Sequence, residues 1–171
     1  KKKATNKVIE ILSNLLDTQV KASFHDKNTL EPKNIFSDFT PLEESVDFEN
    51  EDFNIFKQNS SLLQTEQITK PADFQVSSKV LRSNCRVTNQ PDWGDIFIKI
   101  IGNQVPTKLS LLKFIISMRQ ENHFHEEICE HVFKTLSDLL PNSKILVACL
   151  YTRRGGIDIN PIRISDKSLL D

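Results

Sequence analysis

The chain has 171 residues, 38% of them apolar, with eleven phenylalanines and one tryptophan, enough for one domain, or one and a half, around a real core. Lys plus Arg number 22 against 23 Asp plus Glu, so no global field recruits nucleic acid or an anionic membrane, and a small ligand or protein partner is expected. The three cysteines, Cys85, Cys129 and Cys149, form no CxxC, which argues against a disulfide framework or a Cys-rich zinc site and points to a reducing, cytoplasmic setting.

From Lys7 to Leu16, Val8, Ile11, Leu12, Leu15 and Leu16 recur at helical spacing opposite Lys7, Glu10 and Asn14, the pattern of an amphipathic helix. "QVKASFHD", residues 19–26, alternates Val20, Ala22 and Phe24 with Lys21, Ser23 and His25, the period of a half-buried strand. Residues 26–74 are expected to be a polar connecting segment, with the acidic run "EESVDFENED" from Glu43 to Asp52 as a solvated loop. Two strands are expected next, from about Gln75 to Arg86 and from Gly94 to Ile101, where Ile96, Ile98 and Ile100 share a face. A helix then carries Leu109, Leu112, Ile115 and Ile116, and a second presents Ile128, Cys129, Val132, Phe133, Leu136 and Leu140 as its stripe. Asn122 or His123 is expected to cap that second helix. Past Pro141, "KILVACLYTRR" and "IDINPIRIS" are two strands joined across Gly155-Gly156, since paired glycines permit positive φ. Residues 75–165 thus read β-β-α-α-β-β, with 166–171 as a tail. No apolar run reaches the roughly 20 residues that span a bilayer, and no signal peptide opens the chain.

Three stretches bear chemistry. In "SNCRVTNQPDWG" Cys85 sits among polar residues, whereas a cysteine kept for packing has apolar neighbours. It can be a nucleophile only as thiolate, and Asp92 is a general acid or base near it if Pro91 turns the chain back; a structural or incidental thiol is the alternative. Cys129 and Cys149 fall on apolar faces and read as packing residues. "NHFHEEICEH" gathers His125, Glu126 and His131, but the two histidines are six apart, on different sides of a helix, and no HExxH occurs, so no metal is expected. Either a helix N-terminus beside a pocket lies here, Glu126 accepting ligand N–H groups with His125 adjacent, or a capped, solvated junction. In "YTRRGGIDINP", Arg153 and Arg154 beside approachable glycine backbone suit phosphate, although a hairpin tip is also basic for solubility alone.

Taken together, "LRSNCRVTNQPDWG", "FHEEICEHVFKTLSDLL" and "YTRRGGIDINP" closely resemble the 7-cyano-7-deazaguanine reductases, the nitrile reductases of queuosine biosynthesis, in their long form of two tandem tunnelling-fold (T-fold) halves. The resemblance implies an α+β fold: an antiparallel β-β-α-α-β-β sheet with helices on one face as the complete second half over 75–165, and residues 1–25 as the last helix and strand of a first half. It implies reduction of a nitrile to a primary amine with two NADPH, Cys85 forming a covalent thioimide and Asp92 shuttling protons. His125 would position substrate or relay protons, Phe124 would pack on the deazapurine, and Glu126 would anchor it. Arg153, Arg154, Gly155 and Gly156 would contact NADPH phosphates. Neither metal nor direct nucleic-acid contact is implied, and a homodimer is. The front-half Glu-Ser-Lys-Ser-type motif of that family is absent and the tail after Asn160-Pro161 diverges, so the chain is expected to lack its natural start and to bind substrate better than it reduces it. A non-catalytic T-fold module that binds a purine or builds an oligomer is the alternative; such a scaffold has no use for Cys85, Asp92 and Glu126 together.

Overall fold

The computed structural model describes residues 2–23, 36–47 and 50–170, in two compact units, Lys1–Ser37 and Asp38–Asp171. The first contains α1 (Lys2–Leu16), the amphipathic helix read from its spacing, with Lys7 and Glu10 paired at 3.1 Å one turn apart. The strand expected over 19–26 is absent where it is described: residues 19–23 have no strand conformation, and the Val20 N–H donates to the Ser13 hydroxyl at 3.1 Å. Alternation alone does not make a strand, which needs a ladder partner. Phe24, His25 and Asp26 lie outside the described residues.

In the second unit the expected β-β-α-α-β-β order is found. After β1 (Thr40–Pro41) come β2 (Thr65–Asn84), β3 (Pro91–Pro106), α2 (Lys108–Ser117), α3 (His125–Leu139), β4 (Lys144–Tyr151) and β5 (Ile162–Ile164). The strands form one sheet in chain order, β1 parallel to β2 and the rest antiparallel. On β3, Asp92, Gly94, Ile96, Ile98 and Ile100 are buried while the residues between them are more open, the period of a strand covered on one face. The three isoleucines form a single core with Leu111, Phe114 and Ile115 of α2, Ile128, Val132 and Leu136 of α3, and Val147 of β4. Cys129 and Cys149 are fully buried in that core, as packing residues should be.

Three boundaries differ from expectation. The segment read as a linker over 26–74 belongs to the fold from Asp38 onward: Leu42 is completely buried, Val46, Phe53 and Leu63 pack on the core, and β2 begins at Thr65. Two of its acids are engaged, Glu43 accepting from the Ser78 hydroxyl at 2.6 Å and the Lys79 N–H at 2.8 Å, and Glu51 pairing with Lys113 at 2.6 Å. Isolated apolar residues in irregular chain have no period, so only tertiary contact reveals them, and Pro71 hides the early part of β2 because proline is rare inside strands. The strand passes it at a shift of register between Gln67 and Ala72. The segment's role is testable: Leu42→Ala is expected to cost about 2–5 kcal/mol in denaturant unfolding, whereas a solvated linker residue would cost no more than about 0.5 kcal/mol.

The second helix is capped neither by Asn122 nor by His123. It starts at His125, and the Glu127 carboxylate accepts the Phe124 N–H at 2.7 Å. Finally, β5 has only three residues, because Pro161 has no N–H to extend the ladder and the Tyr151 N–H bonds the Asn160 side chain instead, at 3.1 Å. The Gly155-Gly156 turn forms as expected, with φ of 57° and 81°, closed by reciprocal backbone bonds between Arg154 and Ile157 of 3.1 and 2.9 Å. The tail is docked, Leu169 being buried.

Candidate active site

Cys85 lies one residue beyond β2, in the turn joining β2 to β3. Its N–H donates to the Gln90 carbonyl and its carbonyl accepts from Asn89, both at 2.8 Å, and Asn89 takes the left-handed φ of 56° that closes the turn. The side chain is half exposed. Its pKa lies below the ordinary thiol value, chiefly through the Thr88 hydroxyl, then the backbone N–H groups of Thr88 and Val87; partial burial and the Asp92 charge oppose this. A thiolate at a turn ringed by donors is a reachable nucleophile.

Asp92 follows Pro91 onto β3 and faces the helices at the end of the sheet, directly across from Ser83 of β2. It is only 2% exposed. A buried carboxylate requires polar or charged neighbours, and two are present: His125 Nε2 at 3.2 Å and the Arg154 guanidinium, Nη2 at 2.6 Å, from Oδ1. Neither contact has hydrogen-bond geometry, since Oδ1 accepts no hydrogen bond, and Arg154 Nη2 donates to the Pro91 carbonyl at 2.9 Å. His125 is brought here by residues 121–123, which pair with the end of β2: Asn84 N–H donates to Glu121 O at 2.8 Å and His123 N–H to Asn84 O at 3.1 Å. The imidazole stacks on Tyr151 of β4 at a centroid distance of 3.9 Å and an interplanar angle of 6°.

Two further residues fix this corner. Arg86, next to the thiol, pairs with Glu127 at 2.9 Å and lies 5.4 Å over the Phe124 ring, tying the Cys85 turn to the start of α3. Gly94 makes room for Tyr151, because a Cβ there would stand 3.0 Å from Tyr151 Cδ1 and 3.1 Å from the Leu150 carbonyl. Gly94→Ala is therefore expected to displace the Tyr151 ring, to be read as altered His125 and Tyr151 ring resonances in NMR.

The predicted site residues thus divide. Cys85, Asp92, His125 and Arg154 meet at one end of the sheet. Phe124 is 44% exposed beside them. Glu126 is exposed on the first turn of α3 and lines an open cavity of about 350 Å³ with Glu127, Glu130, His131 and Lys134. Arg153 is held in the hairpin by Asp158, Nη2 to Oδ2 being 2.6 Å. Gly155 and Gly156 have open space on their Cβ sides. Sequence reasoning missed Ser83, Arg86 and Tyr151: the first two flank the thiol in "SNCR", and Tyr151 looks like one more apolar strand residue.

Residues 91–168, which run from β3 to β5 and carry Asp92, His125 and Arg154, match the family model described as QueF-like protein, and over this part the chain is similar to that family. More particularly, it is similar to proteins named NADPH-dependent 7-cyano-7-deazaguanine reductase. That of Psychrobacter cryohalolentis is 44% identical over 119 residues, 70% of this chain and 41% of the relative. That of Psychrobacter arcticus is 46% identical over 116 residues, 66% and 41%, and that of Acinetobacter baumannii strain SDF 45% over 108 residues, 63% and 40%. The chain thus spans about 41% of the length of the first of these relatives. A solved structure of the archaeosine synthase QueF-Like in the apo form superposes with a TM-score of 0.43 at 15% identity, covering 60% of this chain and 92% of that one.

Proposed function

We propose that this chain carries the nitrile-binding and proton-transfer machinery of a 7-cyano-7-deazaguanine reductase, which converts the nitrile to an aminomethyl group on the way to queuosine in tRNA. The observation that carries the reading is a thiol biased toward thiolate beside a buried carboxylate held by an imidazole and a guanidinium. Cys85 Sγ attacks the nitrile carbon, one π bond of C≡N becomes the N–H of a thioimide, and Asp92 with His125 delivers that proton to nitrogen. Phe124 packs on the deazapurine, and the Glu126 carboxylate accepts its guanine-like N–H donors.

The residues for NADPH fit that cofactor in part: the open, positive-φ backbone of Gly155 and Gly156 admits a phosphate, and Arg153, with 66% of its side chain exposed, would exchange its Asp158 partner for it, while Arg154 is engaged by Asp92. When bound, NADPH supplies the reducing equivalents, two per nitrile. The reading includes no metal, and includes a cytoplasmic homodimer without direct contact to nucleic acid.

Incubation with 7-cyano-7-deazaguanine alone, followed by intact-mass measurement, is expected to add one substrate mass to the chain. A folded sample that forms no adduct overturns the reading for this chain and favours a non-catalytic binding module. The lowered thiol pKa adds a signed prediction. Adduct formation should plateau at a lower pH than for an ordinary cysteine, and Thr88→Val, which removes the leading stabiliser of the thiolate, should move the midpoint up and slow the reaction several-fold at pH 7. An unmoved midpoint would mean that Thr88 does not tune Cys85.

A further inference from the structure

Four of the six buried side-chain polar atoms that lack a hydrogen bond among the described residues lie in this one corner: Ser83 Oγ, Asp92 Oδ1, His125 Nδ1 and Tyr151 Oη. Such groups are few in native proteins, and a cluster of them at a site marks a function. Their placement follows from the sheet. Ser83 and Asp92 are register partners across β2 and β3, and Tyr151 is the partner of Gly94, two residues along β3 from Asp92 and on the same face. Tyr151 Oη and Ser83 face one another, and the Asp92 charge is felt at the phenol. Burial, the leading cause, then the neighbouring Cys149, drives the phenol well above its ordinary range, so Tyr151 is an O–H donor throughout the working pH range.

We propose that Ser83 and Tyr151 are positioning residues for the Asp92–His125 proton-transfer pair: the Tyr151 ring fixes the plane of His125, and the two buried hydroxyls set its tautomer by engaging Asp92 and His125 as a proton moves. The ring's part rests on the 3.9 Å parallel stack, which leaves the imidazole free to slide in its plane toward Asp92 but not to turn out of it. The hydroxyls' part rests on chemistry. Ser83 can turn its hydroxyl about χ1 toward the carboxylate opposite, and a charge-assisted bond of that kind is about twice as strong as a neutral one. A contact between the two hydroxyls uses only one of their two protons, which leaves a buried O–H for Asp92 or His125, and an unmade buried hydrogen bond costs about 1–3 kcal/mol. The inference rests on the reductase reading for its consequence in catalysis, but not for the positioning itself.

The test uses the whole chain in four forms: parent, Ser83→Ala, Ser83→Thr and Tyr151→Phe. Two readouts separate the inference from the function. The first is the His125 tautomer and ring environment by ¹⁵N NMR of the imidazole, which needs no substrate; the second is the pH profile of adduct formation with 7-cyano-7-deazaguanine. Ser83→Ala and Tyr151→Phe should each change the His125 tautomer ratio, and each should lower the adduct rate about tenfold and alter its pH profile, as expected for one lost contact in a proton-transfer unit. Ser83→Thr, which keeps the hydroxyl and suits a strand, should restore both. Imidazole signals and pH profiles identical to the parent in Ser83→Ala and Tyr151→Phe would overturn the inference, even if thermal stability fell. No adduct in the parent, with the imidazole changed in the variants and restored by Ser83→Thr, would remove the reductase reading and leave the positioning role standing.

Discussion

Cys85→Ala is expected to abolish the covalent adduct with 7-cyano-7-deazaguanine completely, with the fold unchanged. In the proposed reaction the Cys85 sulfur forms the bond, and the other two cysteines cannot replace it because both are fully buried in the core. Cys149 is further disfavoured, since burial drives its pKa well up. The turn survives the substitution because it is closed through the backbone of Cys85, to Gln90 and Asn89, and surface changes of this kind alter stability by no more than about 0.5 kcal/mol. Cys85→Ser is the sharper variant: it keeps the shape and donor capacity but not the ionisable thiol, so it should bind substrate and form no adduct. Intact mass reads the bond and calorimetry reads noncovalent binding. An adduct surviving in Cys85→Ala would place the nucleophile elsewhere and remove the central step of the proposed reaction.

Asp92→Asn should lower the rate of adduct formation by about 10²- to 10⁴-fold, the range for loss of a positioned acid or base. Asparagine keeps the size of the side chain but cannot exchange a proton with the nitrile nitrogen. It also leaves Arg154 facing a neutral group where it now meets the carboxylate at 2.6 Å. Removing one partner of a fully buried ion pair typically costs about 3–5 kcal/mol, but the Arg154 side chain is 38% exposed and can turn to solvent, so the stability loss should be smaller than that. Pre-steady-state mass sampling over minutes to hours measures the rate. A rate within twofold of the parent would assign the proton to another group, and His125 would be the next to examine.

Much of this was legible without coordinates. The isoleucine alternation of β3 and the stripe of α3 follow directly from period, and the glycine pair marks the only conformation that closes the last turn without steric cost. The polar company of Cys85 agrees with its half-exposed place in a turn, outside the core. Less legible were the elements without period. Leu42 sits alone in an acidic stretch and still reaches the centre of the core, and Val20 and Ala22 alternate as a strand would yet make none. The capping of α3 by Glu127 was also missed, because a short polar residue before a helix looks like a cap whether or not its side chain reaches the free N–H groups.

What the sequence by itself determined is the order of elements and the candidate chemical groups, since periodicity, turn chemistry and side-chain type are local properties. What only the tertiary structure decided is which of those groups meet. Asp92, His125, Tyr151 and Arg154 come from β3, the start of α3, the end of β4 and the turn beyond it, and they converge because strand register and the pairing of residues 121–123 with the end of β2 place them at one corner. Arg154 likewise reads as a free cation at a hairpin tip, but in the fold it lies against the buried carboxylate. Distances between residues far apart in the chain are set by packing of the whole core, and no local pattern encodes them.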